Sequence, residues 1–243
     1  MKILMTYFLS FLVLPVMASE ITSPFYLPEL GHIQSETLGQ YSKNKRKTMP
    51  YNYWRGLGQK ITLGLGSGFA VLGTGELNWN KQDGSFPHTK GYSAGLKGQW
   101  EFGGILTQLL TLYHQTTNIF FEPRRQMETQ IRLGKNLQKM TPYLNLNGKF
   151  PLNARSEFNA PIYRADVGVF QPVNEKMTLD TTLYLKYDKN VKERSYGLRG
   201  ELSYIATSWL AFGLNGEWQA RGRAKGHTKT YHQAVGIKTI LSF

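Results

Sequence analysis

The chain has no cysteine among its 243 residues. This absence excludes a small fold held together by disulfide bonds, and it also excludes thiol catalysis and zinc sites built on thiolates. Beyond its first residues, the chain has no apolar run of ~20 residues, the length that a membrane-spanning helix requires. A mean hydropathy of −0.37 is likewise too polar for a helical membrane protein.

Acidic residues are also scarce. The chain carries 16 Asp and Glu against 29 Lys and Arg, which gives a formal net charge of +13. In a cytosolic protein this excess would favour nucleic acid as a partner. The amino terminus indicates export instead, because Lys2 precedes a short apolar run (3–15) and a small-residue cleavage site ending at Ala18. We therefore predict a cleaved signal peptide over residues 1–18, and partners that are anionic lipid or anionic solutes with no nucleic acid.

The pattern that the chain does have is alternation of apolar and polar residues. In its last stretch one face presents Tyr231, Val235, Ile237, Thr239, Leu241 and Phe243, and the other presents His232, Ala234, Gly236 and Lys238. Period-two alternation is typical of a β-strand with two unlike faces. Similar segments precede it at 31–41, 51–66, 69–80, 91–102, 105–115, 124–133, 141–150, 162–170, 177–187, 193–204 and 209–220.

The connections between these segments alternate in length. Short ones such as 67–68 and 103–104 alternate with longer, more charged ones such as 42–50 and 81–90. An up-and-down barrel has this property, whereas a soluble β-sandwich gives no reason for it. We therefore predict an all-β, up-and-down antiparallel transmembrane β-barrel of about 12 strands over residues 31–243. Residues 19–30, which contain two prolines and no alternation, are predicted to be an extended periplasmic lead-in.

Aromatic residues on the presumed outer face form two groups, one at each end of the strands. The group at the long-loop end contains Tyr41, Tyr51, Trp79, Tyr92, Tyr113, Tyr187, Tyr196, Trp218 and Tyr231, and the group at the short-turn end contains Trp100, Phe102, Phe170, Tyr204 and Phe243. Amphipathic rings prefer membrane interfaces, so we interpret the groups as two girdles.

A terminal strand that ends on an aromatic residue, Phe243, resembles the closing strand of a bacterial outer-membrane barrel. With its even number of strands and its girdles, the mature chain resembles Gram-negative outer-membrane β-barrel (porin-like) proteins. This resemblance implies an outer-membrane location in a Gram-negative bacterium. It also implies contact with outer-membrane lipid and lipopolysaccharide, and Phe243 as the signal for the barrel-assembly machinery.

Charges on the predicted inner face are balanced in sign. The bases are Lys60, Lys97, Arg132, Lys149, Arg164, Lys186, Arg199 and Lys238, and the acids are Glu36, Glu76, Glu101, Glu128, Asp166, Asp180, Glu201 and Glu217. Such a charge ladder can pair and fill the lumen, or it can frame a narrow pore. The inner-face glycines favour free space and hence the pore; they are Gly56, Gly58, Gly64, Gly95, Gly168, Gly197, Gly213 and Gly236.

The excess of positive charge falls mainly in the predicted extracellular loops. Two loops dominate, one with Lys43, Lys45, Arg46 and Lys47 and the other with Arg221, Arg223, Lys225 and Lys229. These loops can bind polyanions, most simply the phosphates of lipopolysaccharide, or they can be solvated without a specific partner. Arg124 and Arg125 are predicted to lie near the mouth as a possible constriction.

Signals for chemistry are weak. His114 is the best candidate for a catalytic base, but we find no serine in its neighbourhood, and a hydrolytic triad needs nucleophile, base and orienting acid within hydrogen-bond reach. No clustered acidic residues suggest a metal and no glycine-rich loop suggests a phosphate cofactor. We therefore predict no catalytic residues, no metal and no cofactor.

The predicted function is passive diffusion of small hydrophilic solutes through a charge-balanced lumen with a basic mouth. One alternative is a closed structural or surface-interaction barrel whose basic loops bind lipopolysaccharide or other polyanions. Another is an outer-membrane hydrolase that depends on His114.

Overall fold

The computed structural model describes residues 21–46, 52–80, 89–118, 121–137, 139–153, 160–190, 192–223 and 230–243. The predicted signal peptide lies outside these residues. The strands are β1 (Ile33–Arg46), β2 (Asn52–Gly66), β3 (Phe69–Asn80), β4 (Thr89–Phe102), β5 (Ile105–Asn118), β6 (Phe121–Lys135), β7 (Thr141–Pro151), β8 (Ile162–Asn174), β9 (Met177–Asp188), β10 (Glu193–Thr207), β11 (Leu210–Arg223) and β12 (Thr230–Ser242). None of the described ranges contains a helix long and apolar enough to cross a membrane.

The sheet closes on itself. Each strand pairs antiparallel with its neighbours in sequence, and β1 pairs with β12 from Gln34↔Ser242 to Arg46↔Thr230. Ile33 and Phe243 complete the closure by exchanging backbone hydrogen bonds of 2.7 and 2.9 Å. Closure satisfies the backbone donors and acceptors that an open edge would leave bare in hydrocarbon. The predicted up-and-down antiparallel barrel of about 12 strands is confirmed.

The two ends of the barrel differ. At one end β1 begins, β12 ends, and short connections (67–68, 103–104, 136–140, 175–176 and 208–209) join the strands; we call this the turn end and the opposite end the loop end. The tightness of these connections has a backbone cause. Gly103 and Gly104 both have positive φ (57° and 78°), a conformation that glycine adopts without steric cost.

The barrel wall is polar inside and apolar outside. On β9, for example, Thr178, Thr182 and Tyr184 are buried on the inner face. Leu183 and Leu185, which alternate with them, are more than half exposed on the outer face. This inverts the pattern of a soluble protein and is expected of a wall that faces lipid.

Aromatic side chains of the outer wall gather at both ends. At the loop end the ring of Trp218 lies 6.1 Å from Tyr196 and 6.3 Å from Tyr231. At the turn end Phe69 and Trp100 meet edge to face at 5.6 Å. The prediction that Phe170 belongs to the outer group is wrong, because its side chain is 7% exposed and packs inside the barrel.

The apolar core of the barrel is built around the segment before β1, residues 21–31, which we call the arm. One cluster joins Phe25 of the arm to Leu106, Tyr143 and Phe170 of the wall. A second joins Ile21 of the arm to Ala211 and Ile240. The sequence predicts a periplasmic lead-in over 19–30. The structure places Ile21 and Phe25 of that segment inside the wall, where both side chains are buried, whereas Leu30 is exposed.

Candidate functional site

The arm crosses the turn end of the lumen. Phe25 is 1% exposed and meets the ring of Tyr143 edge to face, with centroids 6.1 Å apart. Ile21, at the other end of the arm, packs against Ala211 and Ile240 on β11 and β12. Because these contacts fall on different sides of the barrel, the arm crosses the opening instead of following one wall.

Hydrogen bonds from the wall hold the backbone of the arm. Lys97 Nζ on β4 donates to the carbonyl oxygen of Tyr26 at 2.6 Å, and Arg132 on β6 donates to the carbonyl oxygen of Pro24. The other anchors are Gln34 Nε2 to the carbonyl oxygen of Ile21 (2.9 Å), Thr178 Oγ1 to Thr22 Oγ1 (3.0 Å), and a bond of 2.9 Å shared by the hydroxyls of Tyr26 and Ser242. Two wall cations therefore have neutral carbonyls of the arm as hydrogen-bond acceptors.

At most of the lumen glycines the space that a side chain would take is occupied by a neighbouring backbone or side-chain group, so these glycines do not indicate an open lumen. A Cβ at Gly64 would lie 1.9 Å from the carbonyl oxygen of Glu29, so glycine is required where the arm passes β2. A Cβ at Gly168 or Gly197 would meet the ring of Tyr143 or Tyr184 within 2.2 or 2.5 Å. Of the eight glycines in the prediction, Gly58 has the most open surroundings, and the general interpretation as free space is wrong.

The predicted charge ladder lies on the inner face, in phase with the buried residues of each strand. Several of its members form ion pairs: Lys60 with Glu36 at 2.5 Å, Arg164 with Asp166 at 2.6 Å, Lys149 with Glu128 at 2.9 Å, and Lys238 with Glu201. The last pair reaches from β12 to β10 across Gly213 of β11, where a side chain would crowd both partners. Pairing neutralises much of the charge and occupies part of the lumen.

Tyrosines hold two further acids of the ladder. Tyr143 donates its hydroxyl to Asp180 at 2.7 Å, and Tyr184 donates to Glu217 at 2.6 Å. The ring of Tyr184 also carries the guanidinium of Arg164 over its face, 4.1 Å from the centroid. The β7–β11 side of the lumen is therefore densely filled by side chains.

Ser93, His114 and Glu128 form a hydrogen-bonded series that the sequence pattern did not predict. Ser93 on β4 lies opposite His114 on β5, and its hydroxyl is 2.5 Å from Nδ1. The other ring nitrogen, Nε2, is 2.5 Å from Glu128, which also binds Lys149 and Asn147. The finding that no serine stands near His114 is therefore wrong. The side chains have the types of a hydrolytic triad, but Ser93 is only 8% exposed.

Like charges face each other nearer the loop end. Arg164 and Lys186 are directly opposite in the register of β8 and β9, an arrangement that destabilises a sheet. Arg164 has Asp166 as a partner, whereas Lys186 makes no hydrogen bond or ion pair within the described ranges. Arg221, predicted in a loop, is instead a residue of β11 whose side chain lies 3.7 Å from Glu193. Lys186 therefore lies among the positive charges of Arg164 and Arg221 in this part of the lumen wall.

The other bases that the sequence places in loops lie either on strands or outside the described residues. Lys43, Lys45 and Arg46 lie on β1 and Arg223 on β11, so both strands extend into the predicted loops. The positions Lys47, Lys225 and Lys229 lie outside the described residues. Arg124 and Arg125 are consecutive on β6 and so point to opposite faces; Arg124 is half-buried on the inner face and Arg125 is exposed on the outer one. Only Arg124 is placed to narrow the mouth.

The outer wall carries a shallow depression of about 1330 Å³ across β6 to β10. Small residues, Gly148 and Ala165, form part of its floor, and Phe150, Tyr163 and Tyr196 are among its walls. Lys192 and Arg194 line the same depression at the loop end. Across the described part of the chain, no group of three His, Asp or Glu side chains is placed to hold a metal ion.

Solved structures share this architecture. The COG4313 outer membrane channel from Pseudomonas putida F1 is 12% identical, with a TM-score of 0.66 over 95% of this chain and 100% of that chain. The NanC porin is 12% identical, with a TM-score of 0.57 over 83% and 98%. The KdgM porin in complex with disordered oligogalacturonate is 10% identical, with a TM-score of 0.54 over 84% and 97%.

At these identities the likeness is one of fold. No protein-family model matches the chain, and no curated protein matches it. The molecule therefore has the fold of outer-membrane channels and porins. It resembles porin-like barrels as a class, and no particular subfamily is indicated.

Proposed function

We propose that the protein is an outer-membrane channel for passive diffusion of small hydrophilic solutes, exported with a cleaved signal peptide. The observation that carries this proposal is the inversion of polarity in a closed barrel: buried polar side chains line the inner wall and apolar side chains cover the outer one. A polar lumen gives water and solutes a path that hydrocarbon denies them. Its fold, shared with channels and porins, supports the same conclusion.

The lumen is charge-balanced overall, but its charges are unevenly distributed. Arg164 and Lys186 stand side by side near the loop end, with Arg221 on a nearby strand. Arg164 and Arg221 are paired with Asp166 and Glu193, so Lys186 is the base of this group that has no ion pair among the described residues. A local excess of one sign of charge concentrates counter-ions. We therefore propose a preference for anionic over cationic solutes, set mainly by Lys186.

The reversal potential of the channel in a bilayer with a KCl gradient tests this proposal. Lys186→Gln should shift the reversal potential toward cation preference, because it removes a lumen cation that forms no ion pair with any residue that the structure describes. Arg194→Gln removes a base from the outer wall and serves as the control that should leave the potential unchanged. Equal behaviour of the two variants would contradict a role for the inner wall in selectivity.

A second candidate function is specific binding of lipopolysaccharide, and the outer depression favours it. Its apolar floor suits an acyl chain, and Lys192 and Arg194 suit a lipid phosphate. Basic residues near an anionic surface contribute about 1 kcal/mol each. Arg194→Gln should therefore weaken binding of fluorescent lipopolysaccharide to the micellar protein by about fivefold. Arg55→Gln, which changes an exposed outer-wall base on β2, is the matched control, and an equal effect of both would contradict a specific site.

A further inference from the structure

Two cations of the lumen wall, Lys97 and Arg132, donate hydrogen bonds to carbonyl oxygens of the arm, which carry no charge to balance theirs. Lys97 Nζ donates to the carbonyl oxygen of Tyr26 at 2.6 Å. Arg132 donates from Nη1 to the carbonyl oxygen of Pro24, and the side-chain oxygen of Gln108 lies 3.4 Å from the same nitrogen. All three acceptors are neutral.

Arg132 also has a hydrogen-bond donor without an acceptor among the described residues. Its Nε is buried without a hydrogen-bond partner in the part of the chain that the structure describes. Its guanidinium lies 5.7 Å from the ring centroid of Phe25 and 5.5 Å from that of Tyr143, so the arm and the wall enclose it. A buried donor without an acceptor costs free energy, more so when it is charged. The site therefore has unused capacity for an acceptor.

The nearby acids do not supply that acceptor. Asp180 and Asp166, whose charges act on Arg132, accept hydrogen bonds from Tyr143 and from Arg164 and Asn145, respectively. Glu36 is bound to Lys60 at 2.5 Å, and Lys97 is acted upon by the positive charges of Lys60 and Arg132 as well as by Glu36. Hydrogen bonds between charged partners are roughly twice as strong as neutral ones. An oxyanion would consequently be a better partner for both cations than two peptide carbonyls are.

The spacing of the carbonyls fits a small ligand. Pro24 and Tyr26 are two residues apart, so their oxygens belong to a stretch of at most ~7 Å. A small dicarboxylate presents oxygens over such a span, whereas the oxygens of a phosphate, which are bonded to one phosphorus, cover only part of it.

We propose that Lys97 and Arg132 form a binding site for a small oxyanion, carboxylate or phosphate, and that the arm is its internal competitor. Binding of the anion replaces the carbonyls of Pro24 and Tyr26, releases the arm from the wall and widens the turn end. The anion is thus both the solute that passes through the channel and the ligand that widens the turn end. This inference rests on the proposed channel function for its consequence, but the site itself does not require conduction.

Thiol accessibility tests the proposal cleanly, because the chain has no cysteine of its own. The mature chain is folded in micelles with Leu27→Cys, which places one thiol on the half-buried part of the arm. A control protein carries Leu137→Cys, in the connection between β6 and β7, where Leu137 is 46% exposed. Labelling rates are measured with a maleimide in chloride, inorganic phosphate and succinate at equal ionic strength.

Phosphate, succinate or both should raise the labelling rate at position 27 several-fold and leave position 137 unchanged. In the background of Lys97→Gln or Arg132→Gln, basal labelling should be faster and the anion response should be lost. Arg55→Gln, which removes an exposed base from the outer wall, should keep the full response. If Arg132→Gln does not fold, Lys97→Gln alone carries the comparison.

Two results would overturn the proposal: equal rates at position 27 in all three anions, or a full anion response in the Lys97→Gln protein. The response to each probe separates a phosphate site from a carboxylate site. Failure of the channel function is seen independently, because a protein that never conducts can still show anion-dependent labelling. Conduction without such labelling would instead leave the channel in place and reject the site.

Discussion

Lys97 on β4 binds the carbonyl oxygen of Tyr26, 71 residues earlier in the chain, at 2.6 Å. This bond joins the wall of the barrel to a segment that lies wholly before its first strand. With the apolar contacts of Phe25, it makes the arm a structural part of the lumen. The width of the turn end therefore depends on the arm as well as on the number of strands.

Close passage of the arm along β2 predicts the effect of a single methyl group. In Gly64→Ala the new Cβ would collide with the backbone of Pro28 and Glu29, at 2.3 and 1.9 Å from their carbonyl oxygens, so the arm must move away. We expect a larger conductance and a barrel destabilised by about 1–3 kcal/mol. Single-channel recording and urea unfolding measure the two effects.

Gly58→Ala is the matched control for that variant. It lies on the same face of the same strand, and its Cβ would meet only Leu38 Cβ at 4.0 Å. Conductance and stability should stay close to those of the unchanged protein. If Gly64→Ala behaved like Gly58→Ala, the arm would not be seated as the structure shows it.

Tyrosine hydroxyls are expected to stabilise the acids of the lumen. Tyr184→Phe removes the donor that binds Glu217 at 2.6 Å and leaves that carboxylate short of a partner. The free energy of unfolding should fall by about 1–3 kcal/mol. Tyr163→Phe, on the outer wall, keeps the ring contact with Phe150 and should change the free energy by less than half as much. Equal losses in the two variants would argue against a structural role for the inner hydroxyl.

Burial should decide how much each lumen ion pair contributes. Lys238 and Glu201 are only 15% and 20% exposed in their side chains, whereas Arg221 and Glu193 are 38% and 18% exposed and lie 3.7 Å apart. The acids left behind, Glu201 and Glu193, are about equally exposed, so the difference comes from the cations. Lys238 is well buried and in direct contact with its acid, whereas Arg221 is more exposed and its longer pair contributes about 0–1 kcal/mol. We expect Lys238→Gln to lower the unfolding free energy clearly more than Arg221→Gln does. The reverse order in urea unfolding would contradict this.

The series Ser93, His114 and Glu128 is expected to be structural. Ser93 is 8% exposed, which leaves a substrate carbonyl little access to its hydroxyl, and Glu128 is shared with Lys149 and Asn147. The folded protein should therefore not react with a fluorophosphonate probe, and His114→Ala should lower its stability by about 1–3 kcal/mol. Labelling that Ser93→Ala abolishes would reverse this assignment and revive the hydrolase alternative.

Much of the wall could be predicted from sequence because period-two alternation is local. On β9 alone, residues such as Asp180 and Leu183 show which face is polar and which is apolar. Twelve such two-faced strands in succession indicate a barrel. Strand ends were less predictable. Lys45 and Arg46 look like loop residues by charge, but hydrogen bonding between β1 and β12 continues through them.

The opposition of Ser93 and His114 was within reach of the sequence. The tight connection at 103–104 pairs Phe102 with Ile105, and counting back along both strands places Ser93 opposite His114. The alternation within a single strand does not show this opposition, because it depends on the register between two strands. Register, once a turn is tight, is a usable signal.

The arm and the glycines were not predictable in the same way. Nothing in the local pattern of residues 19–30 shows that Phe25 meets Tyr143, because that contact depends on the closed barrel around it. Gly64 and Gly58 look alike in sequence, yet one is covered by the arm and the other is open. Only the tertiary structure distinguishes a glycine that admits backbone from one that leaves space.

Single-channel conductance in a planar bilayer tests the central claim most directly. The measurement compares the folded mature chain with a version that lacks residues 19–30. We expect discrete steps from both proteins, with larger steps when the arm is absent, because the arm occupies part of the turn end of a polar lumen. Silence from a shortened chain shown to be fully folded would contradict this expectation, since that result would mean that the lumen is closed by its own wall.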